Sequence, residues 1–354
     1  MLRETEETET ILKLTDYRVG FRTERGLAKA VDGVSLSLKR GSTLAIVGES
    51  GSGKTVLNRG VMGLLGANII EGGSAEFQGK ELVNESRQKF WGIKMAMIFQ
   101  DPMTSLNPVM KVGKQVSEPL RLHQGMSKKA ARERTIELFT LVGIPEPAQR
   151  FNEYPHQLSG GMRQRVMISI ALAIDPDLLI ADEPTTSLDV TVQKYILDLL
   201  VEIQSKSDMS MIIITHDLGV ARGRADEIMV MYGGRVMEMA PAETLFQSMM
   251  HPYTEALFSS IPRLNDPKHT RLKPIEGFPP DIVDGPQGCK FAPRCKYAQD
   301  ICLTAHPPET IDNGHAYSCF FPVGTDAGIQ ALESNEARGF TATGLKIKSK
   351  SEAI

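Results

Sequence analysis

Gly48-Glu49-Ser50-Gly51-Ser52-Gly53-Lys54-Thr55 follows the pattern G-x-x-x-x-G-K-[ST], and the residues on either side decide what it is. Thr43 to Val47, just before it, is a short apolar run that reads as a buried strand. Lys54 to Leu65, just after it, carries the apolar spacing of a helix. A glycine-rich turn in that position lets consecutive backbone N–H groups face one anion, and the helix N-terminus adds its partial positive charge. The pattern assigns Lys54 to the β- and γ-phosphates of a nucleotide and the Thr55 hydroxyl to Mg²⁺. A strand, a phosphate turn and a helix in that order begin an α/β unit.

The chain on the N-terminal side reads differently. Ile11 to Phe21 and Ala30 to Leu38 alternate apolar and polar residues around the turn-rich Arg22 to Gly26, which predicts two antiparallel strands. Residues 1–10 are acidic and polar and read as a mobile tail. On the C-terminal side, Ser127 is placed to cap a helix running to Val142. Leu178-Leu179-Ile180-Ala181-Asp182-Glu183 is an apolar strand that delivers two carboxylates at its C-terminal end, where α/β sheets collect ligands. Asp182 is suited to hold Mg²⁺, directly or through water, and Glu183 to orient the water that attacks the γ-phosphate. A helix from Val190 to Ser205 and a strand from Ser210 to Thr215 continue the α/β alternation, which implies parallel strands joined by crossover helices. Met229 to Met231 and Arg235 to Glu238 flank Gly233-Gly234 as a hairpin. Prolines and glycines crowd the chain after Pro262, so the main domain is expected over residues 11–262 and an extension over 263–325. A frayed tail is expected over 326–354.

Composition narrows the classes. The 354 residues are 41% hydrophobic and 23% charged, an ordinary balance that excludes fibrous and wholly disordered chains. Forty Lys+Arg against 43 Asp+Glu give a net charge of -3, so no global field draws nucleic acid or an anionic bilayer. Any phosphate must be held by local geometry. Apolar runs such as Met211 to Ile214 fall well short of the ~18 residues of a membrane span, and no basic-then-apolar leader is visible, so a cytoplasmic location is expected. All four cysteines, Cys289, Cys295, Cys302 and Cys319, crowd into one C-terminal segment, which asks for a local explanation.

Leu158-Ser159-Gly160-Gly161-Met162-Arg163-Gln164-Arg165 narrows the family. With the phosphate loop before it and the acidic strand after it, the chain from about Ile11 to Pro262 resembles the ATP-binding-cassette (ABC) ATPases. The resemblance implies an ABC-type P-loop NTPase with a mixed sheet core, an antiparallel β subdomain and a helical subdomain over about 101–170, here followed by a small cysteine-containing extension. It implies that Ser159, Gly160 and Gly161 open a helix toward the γ-phosphate bound by another subunit, so that sites form between two cassettes. By position it makes Gln100 the glutamine that contacts Mg²⁺ or the attacking water. It likewise makes His216 the histidine that hydrogen-bonds the γ-phosphate, Asp189 the loop residue that crosses the dimer interface, and Phe21 the aromatic that stacks on adenine, with Tyr17 nearby.

Phe99-Gln100-Asp101-Pro102-Met103-Thr104-Ser105-Leu106-Asn107-Pro108 and His251-Pro252-Tyr253-Thr254 are similar to the peptide/nickel importer branch of that family. The resemblance makes Met103 to Met110 candidates for contact with a membrane subunit, with apolar Leu106, Val109 and Met110 forming a docking surface. It implies two transmembrane permeases, an extracytoplasmic substrate-binding protein, and a second ABC ATPase or a homodimer, with the chain peripheral on the cytoplasmic side of the membrane. No nucleic-acid partner is expected. Gly288-Cys289-Lys290-Phe291-Ala292-Pro293-Arg294-Cys295, with Cys302 and Cys319, resembles the C-terminal extension of these importers. The cysteine spacing lacks the C-x-x-C pair of a typical zinc site, which favours a [4Fe–4S] cluster on the four thiolates, ahead of zinc and of free or disulfide cysteines. Peptides are the expected cargo, with nickel and oligosaccharides as alternatives. A soluble ABC ATPase acting on nucleic acid or ribosomes is the reading from another class.

Overall fold

Alternation along Ile11–Val19 builds the first strand: Leu14, Tyr17 and Val19 turn inward, Lys13 and Arg18 outward. The break in that alternation falls at Asp16, whose φ of 48° is left-handed. The computed structural model describes residues 10–85, 87, 89–101, 105–184, 190–260 and 275–347. In chain order the elements are β1 (Thr10–Thr23), β2 (Gly26–Lys39), β3 (Thr43–Val47), α1 (Lys54–Met62), β4 (Ile69–Phe77), β5 (Lys80–Glu81) and β6 (Met95–Ile98). Then come α2 (Val112–His123), α3 (Lys128–Leu141), α4 (Gly160–Leu172), β7 (Leu178–Asp182), α5 (Val190–Ser205) and β8 (Ser210–Thr215). The chain continues through β9 (Glu227–Tyr232), β10 (Arg235–Pro241), α6 (Pro252–Ser259), β11 (Thr310–Asp312), β12 (His315–Tyr317) and α7 (Asp326–Arg338), with shorter helical turns between some of them. The strands β2-β1-β4-β5 form one sheet in that order.

The chain divides into two compact units, one of residues 1–13, 37–43 and 76–214, the other of residues 14–36, 44–75 and 215–354. In the first unit β6, β7 and β8 run parallel, with Met95 to Ile98 opposite Leu178 to Ala181, and Leu178 to Asp182 opposite Ser210 to Ile214. Every residue of β7 and β8 is buried, which is why both are near-continuous apolar runs. The helices α2, α3 and α4 pack on one another. Ser127 caps α3 by accepting the Ala130 N–H at 3.2 Å, and Ala131, Thr135, Leu138 and Phe139 form its buried stripe.

In the second unit β3 pairs in parallel with β9, and β9 returns through Gly233-Gly234 into antiparallel β10. Both glycines have positive φ, 55° and 82°, as a tight two-residue reversal requires. The C-terminal extension is not a separate body beside this sheet. β12 pairs with β10, Glu238 opposite Tyr317, and β11 pairs with β12. Phe291, Ala292 and Cys295 share one core with Val230, Tyr232 and Tyr253. The expected boundary at 262 lies outside the described residues. Glu238, fully buried, accepts the backbone N–H groups of Met250 and His251 at 2.7 and 2.9 Å and meets His315 Nε2 at 2.7 Å.

The expected tail at 326–354 is corrected over its first half. Residues 326–338 form α7, capped by the Thr325 hydroxyl on Gly328 N–H and closed by Gly339 at φ 76°. The composition is polar because much of what anchors α7 is hydrogen bonding. Asn335 is fully buried and donates from Nδ2 to the carbonyls of Lys296 and Ala298 at 2.9 and 3.1 Å. A hydrophobicity pattern does not register that kind of anchor.

Candidate functional site

The phosphate loop of the second unit is built from backbone. Gly48 approaches the chain so closely that a Cβ there would lie 2.2 Å from the Met231 carbonyl oxygen. Gly53, the N-cap of α1, has φ 103°, and a Cβ there would lie 2.3 Å from the Ala30 carbonyl oxygen. Gly51, at φ 80°, has open space where a Cβ would go, so its turn alone asks for glycine. Lys54 is 5% exposed and its Nζ donates to the carbonyls of Gly48 and Glu49 at 2.7 and 2.9 Å and to Ser52 Oγ at 3.4 Å. The ammonium is thus held inside the turn, at the start of α1, where a helix terminus and a fixed cation together favour an anion. Ser50 and Gly51 are exposed at the turn's outer edge, and Thr55 is half-buried in the first turn of α1.

Phe21 and Tyr17, the two aromatics considered for adenine, behave differently. Tyr17 is fully buried and donates to Glu71 at 2.6 Å, whereas Phe21 stays half-exposed near the end of β1. His216, just past β8, is exposed.

The first unit carries the acidic strand end. Asp182 closes β7 in full burial. Glu183 follows with φ 44°, a left-handed conformation that costs a non-glycine residue about 1–3 kcal/mol and that clusters at functional sites. Its N–H donates to the Ile214 carbonyl at 3.1 Å, and Gln100 Nε2 donates to its Oε2 at 3.1 Å. The structure therefore brings two of the expected residues, Gln100 and Glu183, into direct contact. Ser159 caps α4, its Oγ accepting the Met162 N–H at 3.3 Å. Ser159 and Gly160 are exposed, and a Cβ at Gly160 would meet nothing within 4 Å. The packing of this chain does not itself call for glycine there. Asp189 lies outside the described residues, as does Met103.

The segment beyond Gln100 corrects one expectation. Leu106 is 3% exposed and belongs to the interior, while Val109 is 79% exposed. Gln115 pins this loop, accepting Asn107 N–H at 2.9 Å and donating to the carbonyls of Asn107 and Met110 at 3.0 Å each. An apolar residue in a loop can face either way, and only packing chooses.

Comparison with known proteins now decides the family. Residues 31–186 match the family model for ABC transporters, and residues 237–302 match the model for the oligopeptide/dipeptide transporter C-terminal region. The dipeptide transport ATP-binding protein DppD of Bacillus subtilis is 47% identical over 319 residues, which cover 88% of this chain and 95% of that one. The oligopeptide transport ATP-binding protein OppD of Escherichia coli is 47% identical over 321 residues, covering 90% and 95%. This chain belongs to the oligopeptide/dipeptide branch of the ABC transporter ATP-binding proteins. Among solved structures, the post-hydrolysis dimer of the ATP-binding cassette MJ0796 bound to ADP and Pi matches with a TM-score of 0.60 at 27% identity, over 66% of this chain and 99% of that one. No described helix of this ABC ATPase is long and apolar enough to cross a membrane.

The matched C-terminal region of the ABC protein contains Cys289, Cys295 and Cys302 and ends before Cys319. All four line one small pocket with His251, Phe291, Tyr297 and Phe321. Burial pushes each thiol up, Cys289 to about 11, Cys319 to about 12, and Cys295 and Cys302 also upward. Thiols so raised stay protonated at neutral pH. Among the described residues, no three His, Cys, Asp or Glu side chains are arranged as a metal-ion site. The four cysteines share a pocket, but the described residues show no metal-binding arrangement and give the expected iron–sulfur centre no support.

Three side chains behind the loop were given no role of their own by the sequence: Arg294, Tyr232 and Tyr253. Arg294 makes a two-pronged ion pair with Glu49 in the phosphate loop, Nη1 to Oε2 at 2.6 Å and Nη2 to Oε1 at 3.0 Å. The Tyr253 hydroxyl accepts the Glu49 N–H at 2.8 Å, and Tyr232, Tyr253 and Phe291 stack with ring centres 4.5 to 5.3 Å apart. The sequence carried one usable signal, an arginine between two cysteines in a proline-rich segment, but nothing in it named the distant partner.

Proposed function

We propose that this ABC ATPase hydrolyses MgATP to drive the import of peptides through a membrane complex. The observation that carries the cargo class is the joint match, at 47% identity over nearly the full length of relatives named for dipeptide and oligopeptide transport, of both the cassette and the C-terminal region. Those matches favour peptides over nickel or oligosaccharides, and a transporter over a soluble ATPase acting on nucleic acid or ribosomes.

The chemistry divides among residues whose types suit it. Gly48 and Ser50 to Gly53 present backbone N–H groups to the phosphates, the Glu49 N–H being taken by the Tyr253 hydroxyl, and Lys54 supplies the cation. Thr55 and Asp182, with Gln100, would hold Mg²⁺, which when bound would supply positive charge to offset that of the γ-phosphate. Glu183 orients the attacking water and accepts its proton, with Gln100 already bonded to it. His216 hydrogen-bonds the γ-phosphate, Phe21 stacks on adenine, and Ser159, Gly160 and Gly161 close on the nucleotide of a second cassette, with Asp189 at that interface. That second cassette is either another copy or a sibling ATPase.

Two permeases and an external binding protein complete the complex, which places the chain peripherally on the cytoplasmic face of the membrane. Cys289, Cys295, Cys302 and Cys319, which share one pocket, would be the residues to hold an iron–sulfur cluster. Anaerobic purification with iron and acid-labile sulfide analysis tests it, and both near zero would reject it.

The test of the main reading is an anaerobic pull-down of the tagged chain from gently solubilised membranes. Recovery of two multi-span proteins, with peptide-stimulated ATP hydrolysis after reconstitution, is expected. Recovery only from the soluble fraction with nucleic acid or ribosomal proteins would overturn the transporter reading.

A further inference from the structure

A phosphate loop exists to hold polyanions, yet the second residue of this one is a carboxylate. Glu49 follows Gly48 directly, and its charge would repel a triphosphate seated on the neighbouring amides. The structure turns it away. Its carboxylate is gripped on both oxygens by Arg294, and its N–H donates to the Tyr253 hydroxyl. Glu49 therefore contributes no donor to the cradle and is held by its carboxylate and amide to groups behind the loop.

Arg294 is built for that task. Its side chain is 4% exposed. Besides Glu49, Nη1 donates to the Tyr232 hydroxyl at 3.1 Å, Nη2 to the Ile275 carbonyl at 2.9 Å and Nε to the Glu276 carbonyl at 2.9 Å. All five guanidinium donors are thereby engaged, and the planar fork cannot turn without breaking several bonds at once. Burial works against the charge, but the bonds to Glu49 and Tyr232 outweigh it and hold the guanidinium firmly protonated. The residue that follows, Cys295, lines the cysteine pocket, so the grip on the loop is anchored in the C-terminal extension.

We infer that Arg294 is a positioning residue of the nucleotide site: it neutralises Glu49 and holds it off the phosphates, making the C-terminal extension a working part of the phosphate loop. This rests on the reading of Gly48 to Thr55 as the loop that binds ATP. The role is twofold, one electrostatic and one geometric, and the two parts separate by mutation. Losing Arg294 frees an unneutralised carboxylate beside the phosphates. Losing Glu49 as well removes the repulsion and leaves only a looser loop.

The experiment uses the full chain with Lys54→Ala, Arg294→Met, Arg294→Lys, Glu49→Gln and the double variant Arg294→Met/Glu49→Gln. Dissociation constants for MgATP and MgADP are measured by titration with a fluorescent nucleotide, and thermal unfolding is followed without nucleotide. Arg294→Met is expected to weaken MgATP binding about 10-fold or more, and the double variant to recover most of that loss. A packing role alone would not give that recovery, because the double variant still lacks the bonds to Tyr232, Ile275 and Glu276. Arg294→Lys keeps the charge and loses the fork, so an intermediate loss of about 3-fold is expected; it serves if the methionine variant does not fold. Wild-type affinity in both Arg294 variants, or a double variant no better than Arg294→Met, would overturn the inference. Lys54→Ala separates the two failures. If it leaves MgATP binding intact, the reading of the loop itself is wrong; if it abolishes binding while the Arg294 variants do not weaken it, only this inference falls.

Discussion

The phosphate loop and the cysteine pocket belong to the same compact unit and are built by opposite means. In the loop, shape comes from the backbone: Gly48 and Gly53 sit where a side chain would strike a carbonyl oxygen, and Lys54 bonds back to the turn that carries it. In the pocket, shape comes from side chains. Phe291, Ala292 and Tyr297 are buried around four thiols brought together from positions 289 to 319. The contrast teaches why one was readable residue by residue and the other only as a cluster. Backbone geometry is encoded over a few consecutive positions, whereas side-chain packing is settled among residues that the sequence keeps apart.

The sharpest way to test the contrast is to remove a packing residue from the extension. Phe291→Ala deletes a ring that is 2% exposed at the heart of the shared core and should lower unfolding stability by about 3–5 kcal/mol, read from the urea midpoint. A loss under ~1 kcal/mol would show that the extension folds apart from β9 and β10. On the loop side, Lys54→Ala should lower stability by only about 1–2 kcal/mol, for the bonds lost to the Gly48 and Glu49 carbonyls, while weakening MgATP binding about 10²-fold. Equal effects on stability and binding would erase the distinction between the two regions.

Chemistry beyond the loop gives the next test. Glu183→Gln keeps size and hydrogen bonding but removes the base, so turnover should fall about 10²-fold or more with MgATP affinity retained. Wild-type turnover would end that role. Gly53→Ala should cost roughly 2 kcal/mol of stability, since it adds a Cβ at φ 103° against the Ala30 carbonyl; an unchanged midpoint would mean the turn can relax.

The smallest effect concerns acid. Asp32 is buried, which by itself disfavours its charge, but Arg235 at 2.7 Å and Arg18 at 3.3 Å bring its carboxyl below the usual range. A carboxylate lowered in the folded state adds stability above its unfolded value near 3.9, and that increment disappears as pH falls through the lower folded value. Urea midpoints between pH 6 and 3 should therefore fall less steeply in Asp32→Asn than in the parent protein. Identical slopes would show that the pair does not couple to folding.

Much of this was legible beforehand. The strand, turn and helix around Gly48 to Thr55, the acidic end of β7, the Ser127 cap and the hairpin at Gly233-Gly234 all depend on near neighbours in sequence, and each stands where it was read. Misreadings arose where polarity stood in for burial. Leu106 was read as an apolar loop residue on the surface and is interior, and Asn335 lay in a stretch read as frayed and is fully enclosed by hydrogen bonds.

By itself, the sequence determined the family and its branch and singled out candidates for the nucleotide chemistry, because spacing along the chain dictates which backbone amides, cations and carboxylates can serve one phosphate. The tertiary structure alone decided that Arg294 would answer Glu49 and that four cysteines would share a pocket. An ion pair across 245 residues has no period and no motif. It exists because close packing buries the Arg294 charge against the half-buried Glu49, and a buried charge is tolerated only where its partner is also placed.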